Sequence, residues 1–316
     1  MNEKLLITGA TGFIGKRLVK ACIAKKYNIR IAARQDTTSV FESCVDHCLI
    51  SDISANTNWV PAVEGCHVVV HTAARVHVMN EKASDPLAEF RRVNVDGTLQ
   101  LAKQAIAKGV RRFIFISSIK VNGEETTESK AFKADDPVNP TDAYAISKYE
   151  AEQGLLKLSA ETGLEVVIIR PPLVYGPGVK GNFQRMLQWL KRGIPLPFGA
   201  IKNKRSFVHI DNLIDLIICC VGHPNASNQI FLVSDGNDLS TTELLQKMSY
   251  ELGKSPRLLP VPSGLLKAVT TVLGKKGMAQ RLCGSLQVDI AKTQLLLNWQ
   301  PVVKMADGLR LLVMEK

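Results

Sequence analysis

Tyr144 and Lys148 stand four residues apart within residues 142–157, a stretch of helical periodicity, so both side chains leave one face of a helix. A phenol of ordinary pKa, about 10, is a poor proton carrier at neutral pH unless a neighbouring cation favours its phenolate, and Lys148 supplies that cation. The apolar run 112–116 predicts a strand that opens directly into Ser117 and Ser118. Delivered from that strand end, Ser118 would hold the same oxygen that Tyr144 protonates or deprotonates. Asn94 sits in the middle of a predicted helix, residues 86–108, whose apolar positions Leu87, Phe90, Val93, Leu101 and Ala105 recur at helical spacing. An asparagine there is either a satisfied core polar group or a brace for an active site.

Side chains so far apart in sequence need a scaffold, and it begins at the N-terminus. Residues 4–15, KLLITGATGFIG, read as strand, tight turn and helix, with Gly9, Gly12 and Gly15 spaced three apart and Thr11, Phe13 and Ile14 between and behind them. Glycines let such a turn approach a pyrophosphate, and the helix that follows points unpaired N–H groups and its dipole at the anion. The spacing departs from G-x-G-x-x-G by one residue after the first glycine. With a dinucleotide in this cradle, Lys148 would also hydrogen-bond the nicotinamide ribose. A second strand, 28–33, ends at Ala33, Arg34 and Gln35, where an acidic residue would hold the ribose 2′-hydroxyl of NAD. Arg34 instead favours the 2′-phosphate of NADP(H), while the nearby Asp36 keeps NAD(H) as the alternative. A third strand, 47–50, ends before Asp52 and Ile53; a fourth, 67–71, ends before the small residues Thr72, Ala73 and Ala74, against which the cofactor would lie. Such alternation of strand and helix predicts a parallel sheet with its ligand crevice at the carboxyl ends of the strands.

In this order, the glycine turn, Asn94, Ser118, Tyr144 and Lys148 resemble the extended short-chain dehydrogenase/reductases that act on nucleotide sugars, the epimerase/dehydratase group. The resemblance implies an α/β fold: a Rossmann doubly wound parallel sheet over residues 1–177 and a smaller C-terminal α/β substrate lobe over 178–316, with the chain crossing back near 205–235. It implies that Asp52, with Ile53 beside it, accepts from the adenine amino group and that Pro171 lies at the cofactor. Asn182 and Phe183 would hold the nucleotide, Arg205 would pair with its diphosphate and Arg281 would be a second phosphate partner. A homodimer through two helices, one of them bearing Tyr144, is implied as well. Leu173 stands where many relatives have an asparagine before the VYG segment, and the segment after Ser118 lacks the tyrosine common in epimerases. Ile119 and Lys120 replace the Asp–Glu pair of dehydratases, which speaks against dehydration.

The leading expectation is NADPH-dependent 4-reduction of a UDP-linked 4-keto-6-deoxy-(N-acetyl)hexose in surface-polysaccharide (O-antigen) synthesis. The rival is a UDP-glucose or UDP-N-acetylglucosamine 4-epimerase using bound NAD. A reductase of apolar ketones such as steroids and a cofactor-sensing binding protein are more remote.

The remaining composition narrows partners. The 316 residues are 46% apolar, enough for a sizeable core, and no apolar run approaches the roughly 20 residues of a membrane span. A net charge of +11 is spread in pairs such as Lys25–Lys26 and Arg111–Arg112 without interleaved aromatics, so a nucleic-acid partner is not expected; the potential would gather an anionic substrate. Seven scattered cysteines and the absence of a signal-peptide pattern suggest a reduced, cytoplasmic protein, and Cys44, His47 and Cys48 lack the rest of a metal-ligand set, so no metal is expected. Thr241 and Glu243 are read as capping a late helix. Leu265 to Leu273 is amphipathic and is expected to pack on the lobe or a second subunit, with a membrane surface as the alternative.

Overall fold

A computed structural model describes residues 3–38, 40–41, 45–76, 84–127, 130–272, 280 and 282–314. Strands β1 (Lys4–Thr8), β2 (Asn28–Ala33), β3 (Asp46–Leu49), β4 (Val68–His71), β5 (Arg112–Ile116) and β6 (Glu165–Arg170) join one sheet. Two short strands, β7 (Leu173–Tyr175) and β8 (Phe207–His209), pair with each other in parallel, and β9 (Gln229–Leu232) returns to extend the main sheet beside β6. The order is β3-β2-β1-β4-β5-β6-β9, parallel throughout. Strand order reverses between β1 and β4, the place where a doubly wound sheet opens its crevice.

Alternation within the strands builds a core on each face. Leu5, Ile7, Val68, Val70, Ile114 and Val167 pack on one side with α1 (Phe13–Ala24), while Leu6, Val69, Phe113, Phe115 and Val166 pack on the other with the helices that follow β4. After β3 comes a single turn, α2 (Val60–Val63), and after β4 come α3 (Pro86–Arg91) and α4 (Gly97–Ala107). The long helix expected over residues 86–108 is thus interrupted. Residues Arg92–Asp96 form a π-helical turn, which rotates Asn94 into the buried interior without ending the helix.

Helix α5 (Ala143–Thr162) begins at Asp142, whose carboxylate caps it by accepting the Ala145 N–H at 2.7 Å, and ends at Gly163 in the left-handed region (φ 78°). Beyond β7, helices α6 (Asn182–Lys191), α7 (Ile210–Gly222), α8 (Thr241–Glu251), α9 (Ser263–Val272), α10 (Ala291–Leu297) and α11 (Met305–Met314) complete the described chain. A third cluster, with Tyr175, Phe183, Phe207, Leu245 and Leu309, unites α6, α8 and α11. At α8 the cap is Ser240, not Thr241. Ser240 and Glu243 exchange hydrogen bonds in a capping box, while the Thr241 hydroxyl donates to the Leu282 carbonyl. Among the described residues no helix is long and apolar enough to cross a membrane.

Candidate active site

The turn between β1 and α1 is built by glycine at the two positions where nothing else fits. Gly9 has φ +71°, and a Cβ on it would lie 2.7 Å from both the Ala73 nitrogen and the Thr72 hydroxyl; a Cβ on Gly15 would lie 2.1 Å from the Gly9 carbonyl oxygen. The turn therefore presses against the end of β4 and against its own helix, leaving the first-turn N–H groups of α1 facing open space. That space is a cleft of about 810 Å³. Residues Gly9 to Gly15 form its floor, Arg34, Asp52 and Ile53 one end, and Thr72, Ala73 and Ala74 a side wall. A dinucleotide fits this donor set: a helix N-terminus for the pyrophosphate, a small-residue wall for the ribose and an exposed guanidinium at the adenosine end. Leu173, the residue that replaces an asparagine in the expected pattern, lies on the cleft wall as well.

Asp52 has a partner that the sequence did not reveal. Its carboxylate accepts from Arg92 at 2.8 Å, and that guanidinium, with the Ile53 amide, holds it below the usual carboxylate range. Arg92 and Val93 belong to the π-helical turn, and both line the cleft. Gly97 brings this turn close, since a Cβ there would meet Ile53 at 2.5 Å.

Ser118 meets Tyr144, and Lys148 follows Tyr144 by one turn of α5. Ser118 leaves the end of β5 and hydrogen-bonds the Tyr144 phenol, while its Oγ also accepts from the Lys120 N–H at 3.3 Å. Pro171, just past β6, holds this turn through its carbonyl, which accepts the Ile119 N–H at 3.0 Å. Burial and the Asp142 charge push the Tyr144 phenol up to about 12, and the Ser118 hydrogen bond works in the other direction. Lys148, one helical turn on, is buried with its Nζ 3.9 Å from the Phe115 ring centroid; burial lowers it to about 7, opposed by the Glu152 carboxylate. Burial thus disfavours the charged form of both groups. Beneath Lys148, the buried Glu152 accepts from the Ser117 hydroxyl and from Arg170, whose Nη2 lies 2.5 Å from Oε2; Arg170 also donates to Asn122 at 3.0 Å. His71 is buried between the hydroxyls of Thr8 (2.7 Å) and Thr98 (3.0 Å); burial, reinforced by Lys148, lowers it to about 3, so it stays neutral.

Asn94 connects cleft and helix. It hydrogen-bonds the backbone of Arg75, a cleft residue, and the hydroxyl of Ser147 on α5. The Arg75 guanidinium lies 5.6 Å from the Phe90 ring centroid, and Phe90 meets the Tyr144 ring edge-on at 6.1 Å. Arg75, Arg92 and Ser147 escaped the sequence reading. The first follows Ala74 directly and the last lies between Tyr144 and Lys148, so position alone marked them.

The residues expected to hold substrate belong to the lobe. Asn182 opens α6, exposed, with its Oδ1 accepting from Arg185 at 3.1 Å. The Phe183 ring is buried between Tyr175 (5.5 Å) and Phe207 (5.7 Å), which leaves its backbone as the part accessible to a ligand. Arg205 donates to the Gly284 carbonyl at 2.9 Å, and burial lowers its pKa against the raising effect of Glu125. Arg281 lies outside the described residues, as does Cys44 of the trio considered for a metal. The His47 ring bonds the Thr37 hydroxyl at 2.9 Å, and among the described residues no cluster of three or more His, Cys, Asp or Glu side chains could hold a metal ion.

Comparison with known sequences gives this geometry a family. The model of the NAD dependent epimerase/dehydratase family matches residues 5–234. The chain belongs to that family. Among epimerase/dehydratase relatives, the UDP-glucose 4-epimerase of Vibrio cholerae is 47% identical over 316 residues, covering 98% of this chain and 94% of its own. The N-acetyl-alpha-D-glucosaminyl-diphospho-ditrans,octacis-undecaprenol 4-epimerase of Escherichia coli O157:H7 is 28% identical over 306 residues, covering 92% and 89%. Among solved structures, the family fold recurs in the UDP-glucuronic acid 4-epimerase from Bacillus cereus in complex with NAD, with a TM-score of 0.79 at 22% identity over 98% of this chain and 95% of that one.

Proposed function

We propose that this protein is a 4-epimerase of UDP-linked hexoses, acting on UDP-glucose or UDP-N-acetylglucosamine with a resident NAD(H). The observation that carries the proposal is the hydrogen bond between Ser118 and the Tyr144 phenol, with the buried Lys148 one turn further along the same helix, in a chain whose glycine turn lines a cleft of dinucleotide size. The 47% identity to a UDP-glucose 4-epimerase over nearly the whole chain favours epimerisation over the 4-reduction that the SSIKVNGE segment suggests.

When bound, the nicotinamide supplies a hydride acceptor and donor at C4 of the sugar. Tyr144 takes the proton from the C4 hydroxyl and later returns it. Ser118 donates a hydrogen bond to the same oxygen, restraining it while its bonding to carbon changes. Lys148 balances the phenolate with a buried ammonium and fixes the cofactor ribose. Asn182, the Phe183 backbone and Arg205 hold the nucleotide and its diphosphate at the lobe, and residues 1–177 and 178–316 share the crevice between them. NAD(H) is proposed in place of the NADP(H) that Arg34 suggests: an epimerase returns its hydride to the same sugar, so it needs no exchange with a separate reducing pool.

The test is incubation of the purified protein with UDP-glucose, UDP-N-acetylglucosamine and a UDP-4-keto-6-deoxy sugar, following both sugar products and reduced cofactor. Interconversion of C4 epimers without net cofactor change is expected. Stoichiometric NADPH consumption confined to the keto sugar would overturn the proposal in favour of a 4-reductase.

A further inference from the structure

Lys120 touches both arms of the proposed acid–base site. Its backbone N–H donates to the Ser118 hydroxyl at 3.3 Å, and its ammonium pairs with the carboxylate of Asp142, the residue that caps the helix bearing Tyr144. The same ammonium lies 3.8 Å from Glu124. The short 3-10 turn Ile119–Val121 that carries Lys120 is held from outside, because Ile119 donates to the Pro171 carbonyl at 3.0 Å and the Val121 carbonyl accepts from Asn139 at 3.1 Å.

Asp142 does two things at once. One oxygen accepts the Ala145 N–H at 2.7 Å and so starts α5, while the charge lies two residues from the phenol and disfavours its phenolate. A carboxylate is useful to the helix and harmful to the tyrosine. Among the described residues, Asp142 acts on Tyr144 through its charge, Lys148 lies one turn on along α5 with its ammonium over Phe115, and Arg75 reaches from the loop after β4 onto the Phe90 ring that α3 presents to Tyr144. Ser118, from the end of β5, contributes only a hydroxyl.

We propose that Lys120 is a positioning residue: its ammonium neutralises the helix-capping Asp142 beside Tyr144, and its backbone and side chain together lock the Ser118 turn to the catalytic helix. This rests on the reading of Tyr144 as the proton carrier.

The experiment uses the full-length protein with its bound cofactor and compares Lys120→Met, Lys120→Arg, Asp142→Asn and the double variant Lys120→Met/Asp142→Asn. Asparagine is an equally good helix cap, so the double variant removes both charges without unwinding α5. Lys120→Met is expected to move the rising limb of the kcat–pH profile up by about one unit and to lower kcat near neutral pH about tenfold, with KM for the UDP-sugar little changed. Lys120→Arg is expected to keep the wild-type profile, and the double variant to return most of the loss. An unshifted limb in Lys120→Met, or a double variant no better than the single one, would overturn the proposal.

Tyrosinate absorbance, taken as a difference against Tyr144→Phe in each background, provides a readout without turnover. The Tyr144 tyrosinate fraction at about pH 11 should fall several-fold in Lys120→Met. Full turnover in Tyr144→Phe would sink the underlying reading of the site, whereas an unchanged tyrosinate titration would sink the role of Lys120 alone.

Discussion

Asn94 closes on the backbone of Arg75 at two points, its Oδ1 accepting the Arg75 N–H at 2.8 Å and its Nδ2 donating to the Arg75 carbonyl at 3.0 Å. Its Nδ2 also reaches the Ser147 hydroxyl at 3.0 Å, which in turn donates to the Tyr144 carbonyl at 2.8 Å. A single buried amide thus sets the loop after β4 against the helix that carries Tyr144 and Lys148.

Replacing that amide should cost both stability and activity. Asn94→Ala leaves the Arg75 N–H and carbonyl without their side-chain partner, and we expect a loss of about 2–3 kcal/mol in urea unfolding. Turnover should fall about tenfold or more as the wall of the cleft loosens from α5. A variant with wild-type stability and kcat would show that the clamp is dispensable.

Tyr144→Phe keeps the ring that packs edge-on against Phe90 and removes only the hydroxyl. We expect kcat for epimer interconversion to drop by about two to four orders of magnitude with little change in KM, and Ser118→Ala to lose less. Steady-state rates on UDP-glucose measure both.

Lys148 is buried at a cost to folding. Burial lowers it to about 7 from an ordinary 10.5, so between these values the unfolded chain holds the extra proton and stability rises with pH. Below about pH 7 the penalty is complete. Lys148→Met should therefore stabilise the protein, by about 2–4 kcal/mol at about pH 6 and by much less at about pH 10, while turnover is lost. Thermal unfolding across that range decides it: equal stabilisation at both ends would show that the charge carries no folding penalty.

Gly15→Ala puts a methyl group 2.1 Å from the Gly9 carbonyl oxygen, so turn and helix must part. The expected result is purified protein with little bound dinucleotide, read by absorbance or mass after denaturation. Retention of stoichiometric cofactor would mean that the turn is not the pyrophosphate site.

How much of this was legible beforehand follows from the range of the interactions involved. Strands β1, β4 and β5 are short runs dominated by Val, Ile, Leu and Phe and largely buried, so they, and β2 with Ile29 and Ile31, were readable locally, with both ends displaced by a residue at β3 and the start by one at β4. Residues 86–108 read as one helix because a π-helical turn keeps nearly the same apolar spacing; only packing against Ile53 and α5 reveals the extra residue. Phe183 carried no mark of being core rather than ligand contact, since its partners Tyr175 and Phe207 lie on strands that meet only in the folded lobe.

The amino-acid sequence by itself determined the parallel α/β architecture, the glycine turn after β1 and the pairing of Tyr144 with Lys148, because each depends on spacing within one or two adjacent elements. Only the tertiary structure decided which charges face one another across the chain: Arg92 on Asp52, Arg170 on Glu152 and Lys120 on Asp142. Those partners are brought together across 18 to 40 residues of chain by the packing of the sheet and its helices, and a charge acts through distance in space, which no local pattern records.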